Sequence, residues 1–338
     1  YRQHVIKPAL IGMLGAWISG GVEWNIPHHH RATTFMPVDW AITEEGDGSK
    51  TVWVGELELR HRMRWLVGLT LRPGSSVLEV EYRIINRTPF AHSVLCWANA
   101  AVHANDHYQI IFPPGTGLAT FHGKNQFSHW PISHEVYNGV DYSQGVDVSW
   151  WKNHPSPNSF FAFGSEEDFF AGYDHGQHAG VVFVGDHTLV PGKKLWTWGT
   201  GSEGVRWEKI LTDRDGPYLE LMLGSFSDNQ PDYSWVRPGE VKTVTQYWYP
   251  LRAIGAVKSA NADAACNLET RGEGKVFLGF VTTAVQKNAR ISLKAGDKAA
   301  FERTSDLSPG DPFTAEVHLP EGTELVSLHL SLATEDGR

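Results

Sequence analysis

The sequence has little of what several large classes of protein depend on. It contains 2 cysteines in 338 residues, Cys96 and Cys266, with no CxxC spacing, so it needs no disulfide scaffold. No apolar run approaches the roughly 18 residues of a membrane span. The net charge is −9 and no basic run occurs, which argues against a nucleic-acid partner. These absences predict a soluble protein with no membrane span.

Helical periodicity is also nearly absent, and no repeat of solenoid length occurs. Apolar and charged residues alternate over 56–65 and 78–85, on either side of an Arg-Pro-Gly-Ser turn at 72–75. This period of two predicts a hairpin with one apolar face. Further strands are predicted around 181–185, 218–223 and 241–249. The sequence therefore predicts an all-β protein with long loops at 113–138 and 147–158.

Composition changes sharply near residue 250. All 14 Trp and all 10 Tyr lie at or before Tyr249, and the chain then becomes rich in Ala, Lys, Glu and Thr. We predict a large first domain at 1–255 and a small second domain at 256–338. Short, closely spaced strands make the second an immunoglobulin-like β-sandwich with an accessory role. Because the chain begins at Tyr1 and not at Met, we expect its natural ends to lie elsewhere.

Tryptophan in polar loops is the first functional signal. Indole faces beside carboxylates and amides are suited to holding a sugar, whose C–H face stacks on the ring while its hydroxyl groups take hydrogen bonds. Trp24, Trp130 and Trp151 are predicted to stack on a sugar, although tryptophans of this kind also serve in cores.

The densest polar cluster runs from Gly20 to Arg31 and contains Glu23, His28, His29 and His30. Three histidines could bind a metal, but adjacent residues of an extended chain point to opposite faces. We therefore predict no metal. His28 and His29 are instead predicted to bond a ligand.

A second cluster runs from Trp97 to Tyr108. On a strand, Trp97, Asn99 and His103 would share one face, which suits sugar hydroxyl groups. Asn99 and Asp106 are predicted to bind substrate. Asp141 and Lys152, in later polar segments, are further candidates.

The third cluster centres on Glu220, which lies between apolar residues and would share a face with Tyr218 and Met222. A carboxyl group in apolar surroundings has a raised pKa and suits a general acid or base. A salt-bridged structural Glu is the alternative, and the sequence leaves both open.

These clusters together resemble the galactose-mutarotase-like superfamily. The resemblance is carried by the Gly-Gly-x-Glu strand near the start, Asn-Arg-Thr-Pro at 86–89, Pro-Gly-Lys at 191–193, the Glu220 strand and Tyr-Trp-Tyr-Pro at 247–250. More closely, the chain looks like a bacterial family of unknown function often joined to tetratricopeptide repeats. The resemblance implies a large antiparallel β-supersandwich with a sugar cleft over residues 1–255. It also implies a bacterial protein of the cytoplasm or periplasm.

The superfamily that the chain resembles includes aldose epimerases, which use a Glu base and a His acid. By position, Glu220 is similar to that base and His103 to that histidine. Glu23 supplies a second carboxylate, and a carboxylate pair is what most glycosidases use. We therefore predict a glycoside hydrolase with Glu220 and Glu23 as the pair, acting on an oligosaccharide or glycoside without a cofactor. An epimerase using Glu220 and His103, and a non-catalytic glycan-binding module, remain alternatives.

Overall fold

The computed structural model describes residues 5–11, 15–28, 30, 33–34, 36–272 and 274–335. Antiparallel strands dominate this part of the chain. The strands of the first domain, in chain order, are β1 Pro8–Ile11, β2 Gly15–Ile18, β3 Val22–Asn25, β4 Asp39–Glu44, β5 Lys50–Glu58, β6 Met63–Leu71, β7 Leu78–Ile85, β8 His92–Val94, β9 Cys96–His103, β10 Tyr108–Ile111, β11 Leu118–Thr120, β12 Phe127–His129, β13 Ile132–Ser133, β14 Val136–Tyr137, β15 Val140–Asp141, β16 Val146–Asp147, β17 Asn158–Phe163, β18 Phe169–Asp174, β19 Ala179–Val184, β20 Gly192–Thr197, β21 Tyr218–Ser225, β22 Ser234–Val236 and β23 Val241–Arg252.

The other described elements are the strands of the second domain and a few helical segments. The second domain contains β24 Ser259–Ala260, β25 Ala264–Thr270, β26 Lys275–Thr282, β27 Gln286–Ala295, β28 Lys298–Leu307, β29 Phe313–His318 and β30 Leu328–Ala333. One α-helix, α1, spans Ser202–Leu211, and short 3-10 turns lie at His122–Lys124, Trp151–Asn153 and Leu325–Ser327. None of the helices in the described ranges has the length and hydropathy of a membrane span.

Two large sheets form the first domain. One has the strand order β10-β18-β19-β23-β7-β6-β5-β4, and the other has the order β12-β11-β17-β20-β21-β9-β3. Their facing sides enclose the main core, to which the second sheet contributes Leu219, Leu221 and Leu223 and the first contributes Val80 and Ile84. The predicted all-β sandwich is confirmed. β19, β21 and β23 lie where strands were predicted.

The predicted hairpin is correct at its Pro-Gly turn but wrong in part about its faces. β6 and β7 flank residues 72–75, as expected. However, residues 59–62 form a second turn, so odd-numbered positions face outward before it and inward after it. Leu57 and Leu59 are therefore 51% and 77% exposed, while Glu58 is buried. The Glu58 carboxylate is satisfied there by the backbone amides of Arg60 and His61.

The second domain is an antiparallel sandwich of a four-stranded sheet, β24-β25-β26-β29, and a three-stranded sheet, β28-β27-β30. Val276, Leu278, Ile291 and Leu293 lie at its centre. A separate apolar cluster joins Tyr249 and Leu251 of β23 to residues 254–257, 265 and 281. The two domains therefore share a continuous buried contact where the sequence predicts their boundary.

Candidate active site

The outer face of the seven-stranded sheet carries polar side chains in ordered rows. In antiparallel pairs, directly opposed residues point to the same side of the sheet. One row contains Lys194, Met222, Asn99 and Glu23, on β20, β21, β9 and β3. The next row contains Trp196, Glu220 and Ala101. Two carboxylates and one ammonium group thus share a face, because Leu195, Leu219 and Leu221 take the opposite, core-facing positions.

These rows form the base of a cavity of about 410 Å³. Residues from the first strands, the 3-10 turn at 122, the central strands and the 230–233 loop line it together. They are Trp17, Glu23, His30, His122, Lys194, Trp196, Trp198, Glu220, Met222, Gln230, Pro231 and Tyr233. A volume of this size is typical of a small-molecule site.

Glu220 is 6% exposed at the base of the cavity. Burial disfavours its charged form and raises the pKa of its carboxyl group to about 7, and the nearby Lys194 charge offsets part of that increase. A carboxyl group with this pKa can hold or release a proton at neutral pH.

Lys194 is buried beside it. Its Nζ donates to Gln230 Oε1 at 3.0 Å, lies 3.2 Å from His122 Nε2 and lies 4.8 Å from the centre of the Phe161 ring. Burial lowers the pKa of the ammonium group to about 7, against the attraction of Glu220 and Glu23. Lys194 therefore sets the electrostatic environment of both carboxylates.

Glu23 is 3% exposed and lies two strands away from Glu220. Asn99 Nδ2 donates to its Oε2 at 3.5 Å, and His30 Nδ1 lies 3.9 Å from its Oε1. Among the described residues, the other amide atom, Asn99 Oδ1, is buried without a hydrogen-bond partner.

An aromatic wall closes one side of the cavity, formed by Trp17, Trp196, Trp198 and Trp207. The Trp198 ring centre lies 5.7 Å from that of Trp17, 5.4 Å from Trp196 and 4.8 Å from Trp207. Trp198 Nε1 donates to the Tyr218 hydroxyl group at 3.0 Å, which fixes the ring. Trp17, Trp196 and Trp198 present indole surface to the cavity.

A fully buried indole fills the sheet face next to Lys194 and Met222. Trp97 lies against the backbones of Gly192 and Gly224, which stand opposite each other on β20 and β21. A Cβ atom on Gly224 would lie 2.3 Å from Trp97 Cζ2, and one on Gly192 would lie 2.6 Å from Trp97 Cη2. The ring fits only because both positions lack a side chain.

The model of a domain of unknown function, DUF5107, matches residues 1–251. The chain belongs to this family. The model of the second domain of YphG-like proteins matches residues 259–338 of this DUF5107 chain.

Solved structures resemble the DUF5107 chain over most of its length. A tetratricopeptide-repeat protein from Parabacteroides distasonis is 25% identical over 69% of this chain and 38% of that one, with a TM-score of 0.58. This chain thus spans about two fifths of that protein. The Slr1438 protein from Synechocystis is 9% identical over 70% and 80%, with a TM-score of 0.48. A galactose mutarotase related enzyme from Lactobacillus acidophilus is 9% identical over 76% and 98%, with a TM-score of 0.44.

Of the residues predicted from sequence, the DUF5107 structure brings Glu220, Glu23 and Asn99 together on one face. Glu220 shares that face with Tyr218 and Met222, as expected. His28 lies just outside the cavity, with its ring centre 5.5 Å from that of Tyr233. His29 lies outside the described residues.

The predicted stacking tryptophans do not line the cavity. Trp24 points to the inner side of β3, where its Nε1 donates to the Tyr82 hydroxyl group at 3.3 Å. Trp130 and Trp151 are both 8% exposed in the core between the sheets. The 113–158 segment folds back on the sandwich and buries them, so their polar neighbours in sequence were misleading.

The other predicted residues lie elsewhere. His103 is on the correct face of β9, opposite Tyr218. However, Leu211 of α1 packs over Ala101 and Tyr218, so the helix covers the sheet between His103 and the cavity. His103 Nε2 lies 3.9 Å from Asp215 Oδ2. Three candidates do not line the cavity and are exposed on the surface: Asp106 in a turn, Asp141 beside Ser143, and Lys152 over the Trp150 ring.

Sequence reasoning missed Lys194 and His122, and it did not select Trp196 and Trp198 from the tryptophans that have polar neighbours. Lysine is rarely fully buried, so a Lys-Lys pair suggests a surface position. The sequence shows that Lys194 and Trp196 alternate on one strand and share a face. It does not show that they lie beside Glu220, because that depends on the register between β20 and β21.

The neighbouring Lys193 allows a first prediction. It points into the core, where its Nζ has no hydrogen-bond partner among the described residues, and burial lowers its pKa to about 8. Lys193→Met should raise the free energy of unfolding at pH 7 by about 1–2 kcal/mol, because it replaces a desolvated charge with an apolar chain of similar length. Urea denaturation measures this change.

The pH dependence of the free energy of unfolding provides the control for the Lys193→Met prediction. The folded-state pKa lies below the unfolded value, so the unfolded chain binds more protons between about pH 8 and 10.5. The parent should therefore gain stability relative to Lys193→Met as the pH rises through that window. A variant less stable than the parent at pH 7 would show that the ammonium group stabilises the core.

Proposed function

We propose that this chain hydrolyses glycosidic bonds, with Glu220 as general acid and Glu23 as the second carboxylate. The observation that carries the proposal is the convergence of two buried carboxylates, from strands two apart in one sheet, on a single cavity with an indole wall. Hydrolysis of a glycoside by a carboxylate pair needs an acid at the leaving oxygen and a base or nucleophile on the opposite side of the sugar.

The environments of the two groups support this division of roles. The pKa of Glu220 near 7 keeps a large share of the carboxyl group protonated at neutral pH, as a proton donor requires. Glu23, with an amide donor and an imidazole beside it, takes the role of the second carboxylate.

The cavity also offers what a sugar ring needs. Trp196 and Trp198 present aromatic faces for the C–H side of the ring. The amide of Gln230 lines the cavity and can bond a sugar hydroxyl group. The expected substrate is an oligosaccharide or glycoside.

A second candidate is an aldose epimerase. His122 and His30 line the same cavity as Glu220, so a carboxylate and an imidazole could move protons at the two oxygens of an anomeric centre. The histidine in this version is His122 or His30, and not His103.

The experiment that tests the proposal is a hydrolysis screen against aryl glycosides and natural oligosaccharides. The parent is run beside Glu220→Gln and Glu23→Gln. Release of sugar from natural oligosaccharides by the parent and its loss in both variants supports hydrolysis. Interconversion of anomers without cleavage favours the epimerase. Glycan binding that survives both substitutions, without turnover, favours a binding module.

The pH profile provides the second prediction. A general acid must be protonated, so kcat/KM should fall as the pH rises above about 7. Lys194→Met should move this fall to higher pH, because loss of the ammonium charge removes the interaction that lowers the pKa of Glu220. Lys193→Met, whose side chain faces the core, is the matched control and should leave the profile in place. An unchanged profile in Lys194→Met would contradict the assignment of Glu220.

A further inference from the structure

A second depression of about 650 Å³ lies on the first domain, where the turn between β5 and β6 meets the 86–92 loop. Its basic residues are Arg60, His61, Arg62, Arg64, Arg87 and His92, and we call it the basic pocket. Four arginines in one depression contrast with the net charge of −9 of the whole chain.

The positive charge of the basic pocket is offset only in part, by the Glu58 carboxylate that lies against His61. Among the described residues, no carboxylate lies within ion-pair distance of the guanidinium groups of the four arginines. Glu58 lies beneath the turn, but its oxygens accept from the backbone amides of Arg60 and His61 and from His61 Nδ1, at 2.8 to 3.2 Å. The arginine donors therefore remain available to an anion.

Both walls of the basic pocket are held in place. Glu58 fixes the 59–62 turn, in which Arg62 has a φ of 54°, a left-handed conformation uncommon for an arginine. Asn86 fixes the other wall, because its buried Nδ2 donates to the carbonyl oxygens of Phe90, Val236 and Arg237 at 2.7 to 3.1 Å. Ordered walls reduce the entropy cost of binding a ligand.

The basic pocket is connected to the cavity by two ring contacts. The His61 ring centre lies 4.3 Å from that of His28, and the His28 ring centre lies 5.5 Å from that of Tyr233, which lines the cavity. Phe90, 69% exposed, also lines the basic pocket and offers an apolar face to a sugar ring. A ligand longer than one sugar unit could therefore contact both sites.

We propose that the basic pocket binds the anionic group of an acidic oligosaccharide whose neighbouring sugar occupies the cavity between Glu23 and Glu220. The arginines bind a carboxylate or sulfate ester on the sugar, and Tyr233 and His28 lie along its path. This inference rests on the proposed function, because it identifies the substrate of that site as a polyanionic glycan.

The test uses pairs of oligosaccharides that differ only in charge: uronate oligosaccharides against their methyl esters, and sulfated ones against their desulfated forms. Affinities are measured by calorimetry in the Glu220→Gln chain, so that turnover does not interfere. At least one acidic member should bind about tenfold or more tightly than its neutral partner.

The Arg62→Gln/Arg87→Gln variant should lose most of that preference while binding the neutral partner as before. Arg252→Gln, which removes an exposed charge elsewhere on the domain, is the control. If the double variant does not fold, salt provides the second measurement. Raising it from about 0.05 M to about 0.5 M should weaken the acidic ligand selectively.

Equal affinity for all charged and neutral pairs, or a preference that survives loss of the arginines, would overturn the inference. Cleavage of neutral oligosaccharides by the parent without any acidic preference would leave the proposed function standing and remove this substrate class. Arginine-dependent binding of acidic glycans without cleavage of any glycan would instead retain the anion site and remove the hydrolase.

Discussion

Glu220→Gln should lower kcat for natural oligosaccharides by roughly 10²–10⁴-fold, the contribution typical of a positioned general acid or base. Glutamine keeps the shape of the side chain at the base of the cavity but cannot supply the proton. Substrate affinity should change little, because the indole wall and the Gln230 amide are untouched.

The leaving group makes this prediction specific. Aryl glycosides whose leaving groups need no protonation should be cleaved by Glu220→Gln at close to the parental rate, whereas Glu23→Gln should lose activity on both kinds of substrate. Steady-state kinetics on the two substrate classes measure the difference. Glu166→Gln, an exposed carboxylate in the same domain, is the control. An equal loss on both substrate classes in Glu220→Gln would remove Glu220 from the role of acid.

Gly224→Ala should lower the free energy of unfolding by about 2–4 kcal/mol, because the new methyl group overlaps the Trp97 ring. The ring cannot move easily. It is fully buried, its Nε1 donates to Ser227 Oγ at 3.3 Å, and its centre lies 5.7 Å from that of Phe161. Denaturant midpoints measure the loss.

Gly117→Ala is the matched control, because a Cβ atom there would meet open space and should leave stability nearly unchanged. A smaller side chain at position 97 should compensate in part. The double variant Gly224→Ala/Trp97→Leu should be more stable than the sum of the two single losses predicts. Equal stability of Gly224→Ala and Gly117→Ala would mean that the sheet accommodates the methyl group freely.

The parts of the site that were predictable from sequence are those fixed within one strand. The alternation around Glu220 places it with Tyr218 and Met222, and the alternation from Trp97 to His103 places Asn99 on the cavity face. Both follow from a local period of two, which holds whatever the neighbouring strands are.

The predicted site residues that lie elsewhere in the structure are placed there by pairing between distant segments of the chain. Trp24 and Glu23 are adjacent, so only one of them can face the cavity, and the sequence does not show that Trp24 is the residue directed inward. Trp130 and Trp151 belong to a long segment that no local pattern places against the core. His103 lies on the predicted face, but α1 covers the sheet between His103 and the cavity.

Glu23 lies on β3, the terminal strand of its sheet in the described chain, which pairs with β9 over 4 residues. A short edge segment of this kind can detach locally at a lower free energy than the domain needs to unfold. On heating, the second carboxylate would then leave the cavity while the sandwich stays intact. Thermal inactivation of the proposed enzyme should therefore precede its melting, and a ligand that bridges β3 to the indole wall should bring the two temperatures together.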